Sequence, residues 1–216
     1  MIPSIPGGYG VIYADPCWQF KDQNRNGSRG AGCKYQTMTL PQLMAVPVRQ
    51  IAAPDSVLLM WHVPAMPAEA LQLATAWGFT VRTMKAFTWV KMNKRFADNL
   101  RKSCRKSGTD IHGMDEADLL QLMFAATKMG LGHHTRGNTE DVLIAVRGRG
   151  LGRQSKSVRQ LIFSPVREHS RKPDEARHRI EQLYGDVPRI ELFARQSAPG
   201  WDSWGNESTK FDQEAA

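Results

Sequence analysis

The sequence predicts an α/β domain built on a mostly parallel sheet with helices on both faces. Three observations carry that expectation. Apolar, β-branched runs of strand length recur, as in Val11-Ile12-Tyr13-Ala14 and Val142-Leu143-Ile144-Ala145-Val146. Segments with helical spacing of apolar residues lie between them, so strands and helices alternate along the chain. Finally, 216 residues suffice for one substantial core but are short for two domains of ordinary size.

Taken in order, Val11 to Ala14 reads as a buried strand that ends at Asp15-Pro16, because proline lacks the N–H that a ladder needs. It delivers Asp15 to the strand's carboxyl end. Gln19 to Lys34 holds Gly, Asn, Arg, Ser and Lys with almost no large apolar residue, and reads as a mobile loop. Leu40 to Ala53 is expected to be helical with a break near Pro47, and Ser56 to Val63 is a strand. Pro67 to Trp77 places Ala70, Leu71, Ala74 and Trp77 at helical spacing, with Gly78 as the stop. Met84 to Val90 supplies the next strand, Lys91 opens a long polar segment, and Asp118 to Lys128 reads as a helix.

Glu140 to Arg147 is a further buried strand, followed by a Gly/Arg stretch to Arg153 with no regular structure. Pro173 to Leu183 has proline at a helix start, Ala176, Ile180 and Leu183 on one face, and Gly185 as a stop. Arg189 to Ala194 is the last expected strand. On such sheets ligands bind outside the carboxyl ends of strands, which directs attention to Asp15.

The apolar runs are far too short to span a bilayer, and the N-terminus lacks the basic head and continuous apolar stretch of a signal peptide. A cytoplasmic location is expected. Cys17, Cys33 and Cys104 are odd in number and lack CxxC spacing, which argues against a disulfide framework or a zinc site. The formal net charge of +8 favours a polyanionic partner.

The segment Asp15-Pro16-Cys17-Trp18 holds parts suited to an exocyclic amine of a nucleobase. Such an amine is a poor nucleophile because its lone pair is delocalised into the ring, so its N–H groups must be held and its lone pair aimed. The Asp15 carboxylate can accept one N–H, the Pro16 carbonyl the other, and Trp18 offers a surface for stacking. On these four residues alone an ordinary strand terminator remains the competing reading.

A longer series of landmarks resembles the MT-A70 family of S-adenosylmethionine-dependent adenine N6-methyltransferases, especially its short bacterial and phage members. The series runs from Asp15-Pro16-Cys17-Trp18 through Tyr35-Gln36-Thr37-Met38, Leu58-Leu59-Met60-Trp61, Ala76-Trp77-Gly78-Phe79, Trp89-Val90-Lys91 and Thr135-Arg136-Gly137-Asn138-Thr139-Glu140. It continues with His169-Ser170-Arg171-Lys172-Pro173-Asp174-Glu175, Ile190-Glu191-Leu192-Phe193-Ala194-Arg195 and Gly200-Trp201-Asp202-Ser203-Trp204-Gly205-Asn206-Glu207.

The resemblance implies a Rossmann-like methyltransferase fold of permuted order, with the catalytic strip before the main cofactor-binding strand. It implies one methyltransferase domain over residues 1–216, a basic insert at about 91–112 and a flexible tail after about 208. S-adenosylmethionine is the implied cofactor, with Lys172 on its carboxylate and Glu191, Arg195, Asn206 and Glu207 on its ribose and adenine. Asp15 is placed near the cofactor's amino group, and Tyr35 beside the transfer site. Cys17 stands where most relatives have a second proline.

Lys91, Lys94, Arg95, Arg101, Lys102, Arg105 and Lys106 form one basic segment, and Arg147, Arg149, Arg153, Lys156 and Arg159 a second. Both are expected to grip phosphates, DNA being preferred and RNA the alternative. A solvated charge run is the competing reading, and a catalytically weak nucleic-acid-binding subunit is the competing function. Adjacent His133-His134 do not face one site, so no metal is assigned. His169 lies in the loop before Lys172, where it could close over a ligand or simply pack. Monomer and homodimer are equally compatible with the sequence.

Overall fold

The computed structural model describes residues 1–19, 37–107, 111–130, 134–168 and 170–212. The strands are β1 (Tyr9–Ala14), β2 (Ala52–His62), β3 (Thr80–Met92), β4 (Thr139–Arg147), β5 (Leu161–Pro165), β6 (Arg189–Leu192) and β7 (Asp202–Trp204). The helices are α1 (Leu40–Met44), α2 (Val48–Ile51), α3 (Pro67–Ala76), α4 (Phe96–Ser107), α5 (Glu116–Ala125) and α6 (Glu175–Tyr184). The sheet is seven-stranded in the order β5-β3-β4-β2-β1-β6-β7. β1 runs parallel to β2 and β6, β6 to β7, and β3 to β5, whereas β2 and β4 are antiparallel. The α/β class is as expected, with a mixed, mostly parallel sheet. The chain divides into two compact units, Met1–Ala86 with Asp141–Val158 and Glu181–Ala216, and Phe87–Glu140 with Arg159–Ile180.

In the first unit, strand alternation sends Ile12, Ala14, Leu58, Met60, Leu143, Ala145, Ile190 and Leu192 into one core. Leu43, Val48 and Ile51 of α1 and α2, together with Ala70, Leu73 and Ala74 of α3, meet them there. Fully burying each larger aliphatic side chain contributes about 1.5 to 3 kcal/mol. Local chemistry sets the helix ends. Thr39 and Gln42 form a reciprocal cap at α1, Pro41 sits in its first turn, and Pro47 separates it from α2. α3 starts at Pro67, and the chain leaves it through Gly78 at φ 88°, the left-handed conformation that glycine adopts cheaply. Tyr13 and Trp61 belong to the other alternation set, and the Trp61 indole donates to the Tyr13 hydroxyl at 2.6 Å.

The second unit is anchored by the β3–β5 pair, where Trp89 lies opposite Ile162 and its indole donates to the Ser164 carbonyl at 2.9 Å. α4 is amphipathic: Phe96, Ala97, Leu100 and Cys104 are half-buried, while Arg101, Lys102 and Arg105 are exposed. The start of α5 is capped by Asp115, which accepts the Asp118 N–H at 2.8 Å. Its far end is held by Asn93, whose N–H donates to the Ala126 carbonyl at 2.9 Å. The Asn93 amide also donates to the Ala125 and Thr127 carbonyls at 3.2 and 3.1 Å.

Several expectations change. The basic segment after Lys91 contains the helix α4, and β5 and β7 stand where no strand was expected. The tail does not begin at residue 208: Phe211 is buried, its N–H donates to the Arg195 carbonyl at 3.1 Å, and Asp212 accepts from Ser197. The expected loop from Gln19 to Lys34 lies outside the described residues from position 20 onward. Among the described residues, no helix is long and apolar enough to cross a membrane.

Candidate active site

The strip leaves the carboxyl end of β1 beside β6, and the Asp15 N–H donates to the Leu192 carbonyl at 3.3 Å. Asp15 is half-buried. The chain then doubles back: the Trp18 N–H donates to the Pro16 carbonyl at 2.8 Å, and the Cys17 carbonyl accepts the Met38 N–H at 2.9 Å. This tight return turns the Trp18 ring inward, where it is 4% exposed and its indole donates to the Trp61 carbonyl at 3.3 Å. The structure therefore presents Trp18 as a core residue that fixes the strip, not as the open stacking face expected from sequence. The Pro16 carbonyl keeps one lone pair beyond its bond to Trp18.

Burial pushes the Cys17 thiol up, and the nearby Asp15 carboxylate adds to this, while the Arg195 guanidinium pulls the other way. Cys17 therefore stays a neutral thiol within electrostatic reach of both charges. Tyr35 lies outside the described residues.

β6 places Glu191, 8% exposed, in register with Tyr13 of β1 and Ser203 of β7. The next turn is strained. Phe193 sits at φ 61°, a conformation that costs a non-glycine residue about 1 to 2 kcal/mol. Packing holds it there, with the ring stacked on Trp77 at 6.4 Å and edge-on to Trp204 at 5.4 Å. Beyond it the Ala194 N–H donates to the Trp204 carbonyl at 3.0 Å, and Arg195 pairs with Glu207 at 3.3 Å. Gly205 permits this approach: a Cβ there would lie 2.6 Å from the Ala194 carbonyl oxygen. Asn206 is exposed, and Glu207 also meets Lys210 at 2.5 Å.

Two features that sequence reasoning missed pin this loop. The Tyr9 hydroxyl donates to Asp202 at 2.5 Å, and the Trp201 indole donates to Glu181 at 2.6 Å. Tyr9 precedes the apolar run that marked β1, so its spacing gave no signal.

In the second unit, Glu140 lies between two lysines, 2.5 Å from the Lys91 ammonium and 3.4 Å from that of Lys172. Arg167 holds the Lys172 carbonyl at 2.6 Å and the Asp174 carboxylate at 2.7 Å, so both ends of the approach to α6 are tethered. Lys91, expected to grip phosphate, is instead an internal partner of Glu140. Burial pushes the Glu140 carboxyl up, but the Lys172 and Lys91 charges outweigh it and hold the group below its ordinary value.

The sign of the pH dependence follows. Because the folded pKa lies below the unfolded one, the stabilisation is complete above the unfolded value of about 4.3 and is lost as pH falls through the folded value. Thermal melts in acid should therefore show a steeper loss for the native chain than for Glu140→Gln. Equal slopes would mean that the two lysines do not stabilise the carboxylate.

The remaining basic residues divide. Arg149 grips Asp55 through Nε at 2.9 Å and Nη2 at 2.8 Å. The Arg149 N–H and guanidinium hold the Asp55 carboxyl below its ordinary value. Arg147 donates to the Arg49 and Ala52 carbonyls at 2.7 and 3.1 Å. Both thus brace the β4 end of the first unit. Arg101 pairs with Asp98 at 3.1 Å, whereas Lys94, Arg95, Lys102, Arg105, Arg153, Lys156 and Arg159 are exposed. The Lys106 side chain, His133 and His169 lie outside the described set, and His134 is exposed.

Comparison with known proteins assigns the sequence to a class. The chain is 30% identical over 225 residues to the Type II methyltransferase M.MunI of Mycoplasma sp, spanning 96% of this chain and 81% of that protein. It is 26% identical over 210 residues to the human N(6)-adenine-specific methyltransferase METTL4, and 26% over 208 residues to the human N(6)-adenosine-methyltransferase catalytic subunit METTL3. Each match spans 94% of this chain but only 38% and 29% of those longer proteins. A family model described as MT-A70 matches residues 9–109 and 120–207. The chain belongs to the MT-A70 family.

Proposed function

We propose that this protein transfers a methyl group from S-adenosylmethionine to the N6 amine of adenine in DNA. The observation that carries the reading is Asp15, half-buried at the carboxyl end of the β1 strand and fixed to β6 through its own N–H. Its carboxylate accepts one amine N–H and the second lone pair of the Pro16 carbonyl accepts the other, which turns the nitrogen lone pair toward the donor. Trp18 acts from beneath, holding the strip rigid through its bond to Trp61. Orientation is the main work of Asp15: as the N–CH3 bond forms, the donor's S–CH3 bond breaks to leave a neutral thioether, and the methylated nitrogen then gives up its extra proton to solvent.

The residues present fit the cofactor. Its bound form supplies an already activated methyl group, and the chain needs only to hold and aim it. A buried carboxylate, Glu191, suits ribose hydroxyls, and the Arg195–Glu207 loop held down by Gly205 suits the nucleoside end. Lys172 suits the carboxylate, because Glu140 and the tether from Arg167 restrain it near the start of α6. We assign a Rossmann-like methyltransferase fold of permuted order on the same grounds. Tyr35, outside the described residues, is retained as a proposed catalytic residue on the family pattern alone.

The exposed cations Lys94, Arg95, Lys102 and Arg105 of the second unit, and Arg153 of the first, serve the phosphates. DNA is preferred over RNA because the Type II methyltransferase of Mycoplasma sp is matched over 81% of its own length, against 38% and 29% for the two longer human proteins. The test is to incubate the protein with labelled S-adenosylmethionine and either DNA or RNA, digest the product and identify the nucleosides. N6-methyldeoxyadenosine is expected. N4-methylcytosine as the sole product, or label in RNA alone, would overturn the proposal.

A further inference from the structure

An adenine inside a duplex is stacked, so an enzyme acting on its N6 amine must draw the base out, and a side chain that fills the gap lowers the cost. We propose that the exposed apolar end of α5, led by Phe124, is that wedge; the inference rests on the adenine-methylation reading above.

Leu120, Met123 and Phe124 stand at i, i+3 and i+4 on one helix face and are 60%, 56% and 73% exposed, and Met129 just beyond the helix is 72% exposed. A helix of a globular protein normally turns such a stripe inward, but α5 buries none of its residues.

Charge identifies the occupant. The Asn93 hydrogen bonds to the Ala125, Ala126 and Thr127 carbonyls tie the Phe124 end of α5 to the chain just before α4. The residues that follow Asn93 are Lys94 and Arg95, both exposed, and exposed Lys128 lies between Phe124 and Met129. The acidic residues Asp115, Glu116 and Asp118 are confined to the opposite end of α5, about 9 Å or more along the axis from Phe124 at 1.5 Å per residue. An apolar tip flanked by cations is complementary to a duplex whose phosphates surround a gap in the stack. A second copy of the chain would bring the same cations face to face, which opposes a symmetric contact through this patch.

The test compares methylation of sheared genomic DNA, native or heat-denatured and quenched, by the native chain, Phe124→Ala and Phe124→Leu. Phe124 is exposed, so folding should be unaffected, and melting temperatures check this. Unstacking a base step is costly, so Phe124→Ala should lower the rate on native DNA about tenfold or more. The rate on single strands should stay within about twofold, since their bases need no extraction. Leucine should restore most of the loss.

Equal losses on both DNAs, no loss on native DNA, or native-chain activity confined to single strands would each overturn the wedge while leaving the methylation reading intact. A concentration-dependent dimer in light scattering that Phe124→Ala dissolves would overturn it in favour of a second copy. No transfer to either DNA by the native chain would instead remove the methylation reading on which the wedge depends.

Discussion

Replacing Asp15 by asparagine should lower methyl transfer by about three orders of magnitude while leaving the protein folded. The substitution keeps the size of the side chain and one acceptor oxygen. It removes the charge, however, and can turn an NH2 group toward an amine that itself needs acceptors, so the lone pair loses its direction. Misplacement of this kind costs roughly 100-fold per ångström, and the lost electrostatic contribution adds to it. Stability should change little, because the link from Asp15 to β6 runs through its backbone N–H to Leu192. Single-turnover transfer of labelled methyl, alongside a thermal melt, reads both quantities. A variant that keeps more than a tenth of the native rate would remove Asp15 from the mechanism.

Gly205→Ala should weaken S-adenosylmethionine binding by about 30- to 100-fold, equivalent to roughly 2 to 3 kcal/mol. The added Cβ would stand 2.6 and 2.8 Å from the Ala194 oxygen and nitrogen and 3.0 Å from the Phe193 carbonyl carbon. Those backbone atoms have no room to yield. Phe193 is clamped between Trp77 and Trp204, and Ala194 is hydrogen-bonded to the Trp204 carbonyl. The segment carrying Asn206 and Glu207 must then lift away from Arg195. Calorimetric titration with the cofactor checks the prediction, and circular dichroism shows that the sheet survives. Unchanged affinity would place this loop outside the cofactor site.

Elements that the sequence announces plainly are those whose burial pattern is dense. β1, β2 and β4 read as apolar runs because they lie inside the sheet, and the order of α1 and α2 follows from Pro47. β7 has three residues, too few to show a period, and β5 is an edge strand that begins after a polar stretch and ends in proline. α4 escaped notice because its apolar stripe is thin and its charges dominate its composition.

The site divides in the same way. Asp15 is legible because proline marks a strand end, whereas the pairing of Lys91 with Glu140 joins residues that local spacing cannot connect. From the chain alone, that lysine is simply one more basic residue in a basic run. Trp18 shows the converse limit: an aromatic beside a catalytic acid invites a stacking role, and only the return at Pro16 reveals that its ring faces the core.

The position of β1 between β2 and β6 also constrains how the protein is made. Its partner β6 begins only at Arg189. At translation rates of about 5 to 20 residues per second, roughly 10 to 35 seconds separate the synthesis of the two strands. Throughout that interval one edge of β1 lacks its native neighbour, and the Asp15 N–H has not met the Leu192 carbonyl. Shortened chains ending before β6 should therefore be inactive and prone to aggregate, and catalytic competence arrives late in synthesis, with the closing of the sheet.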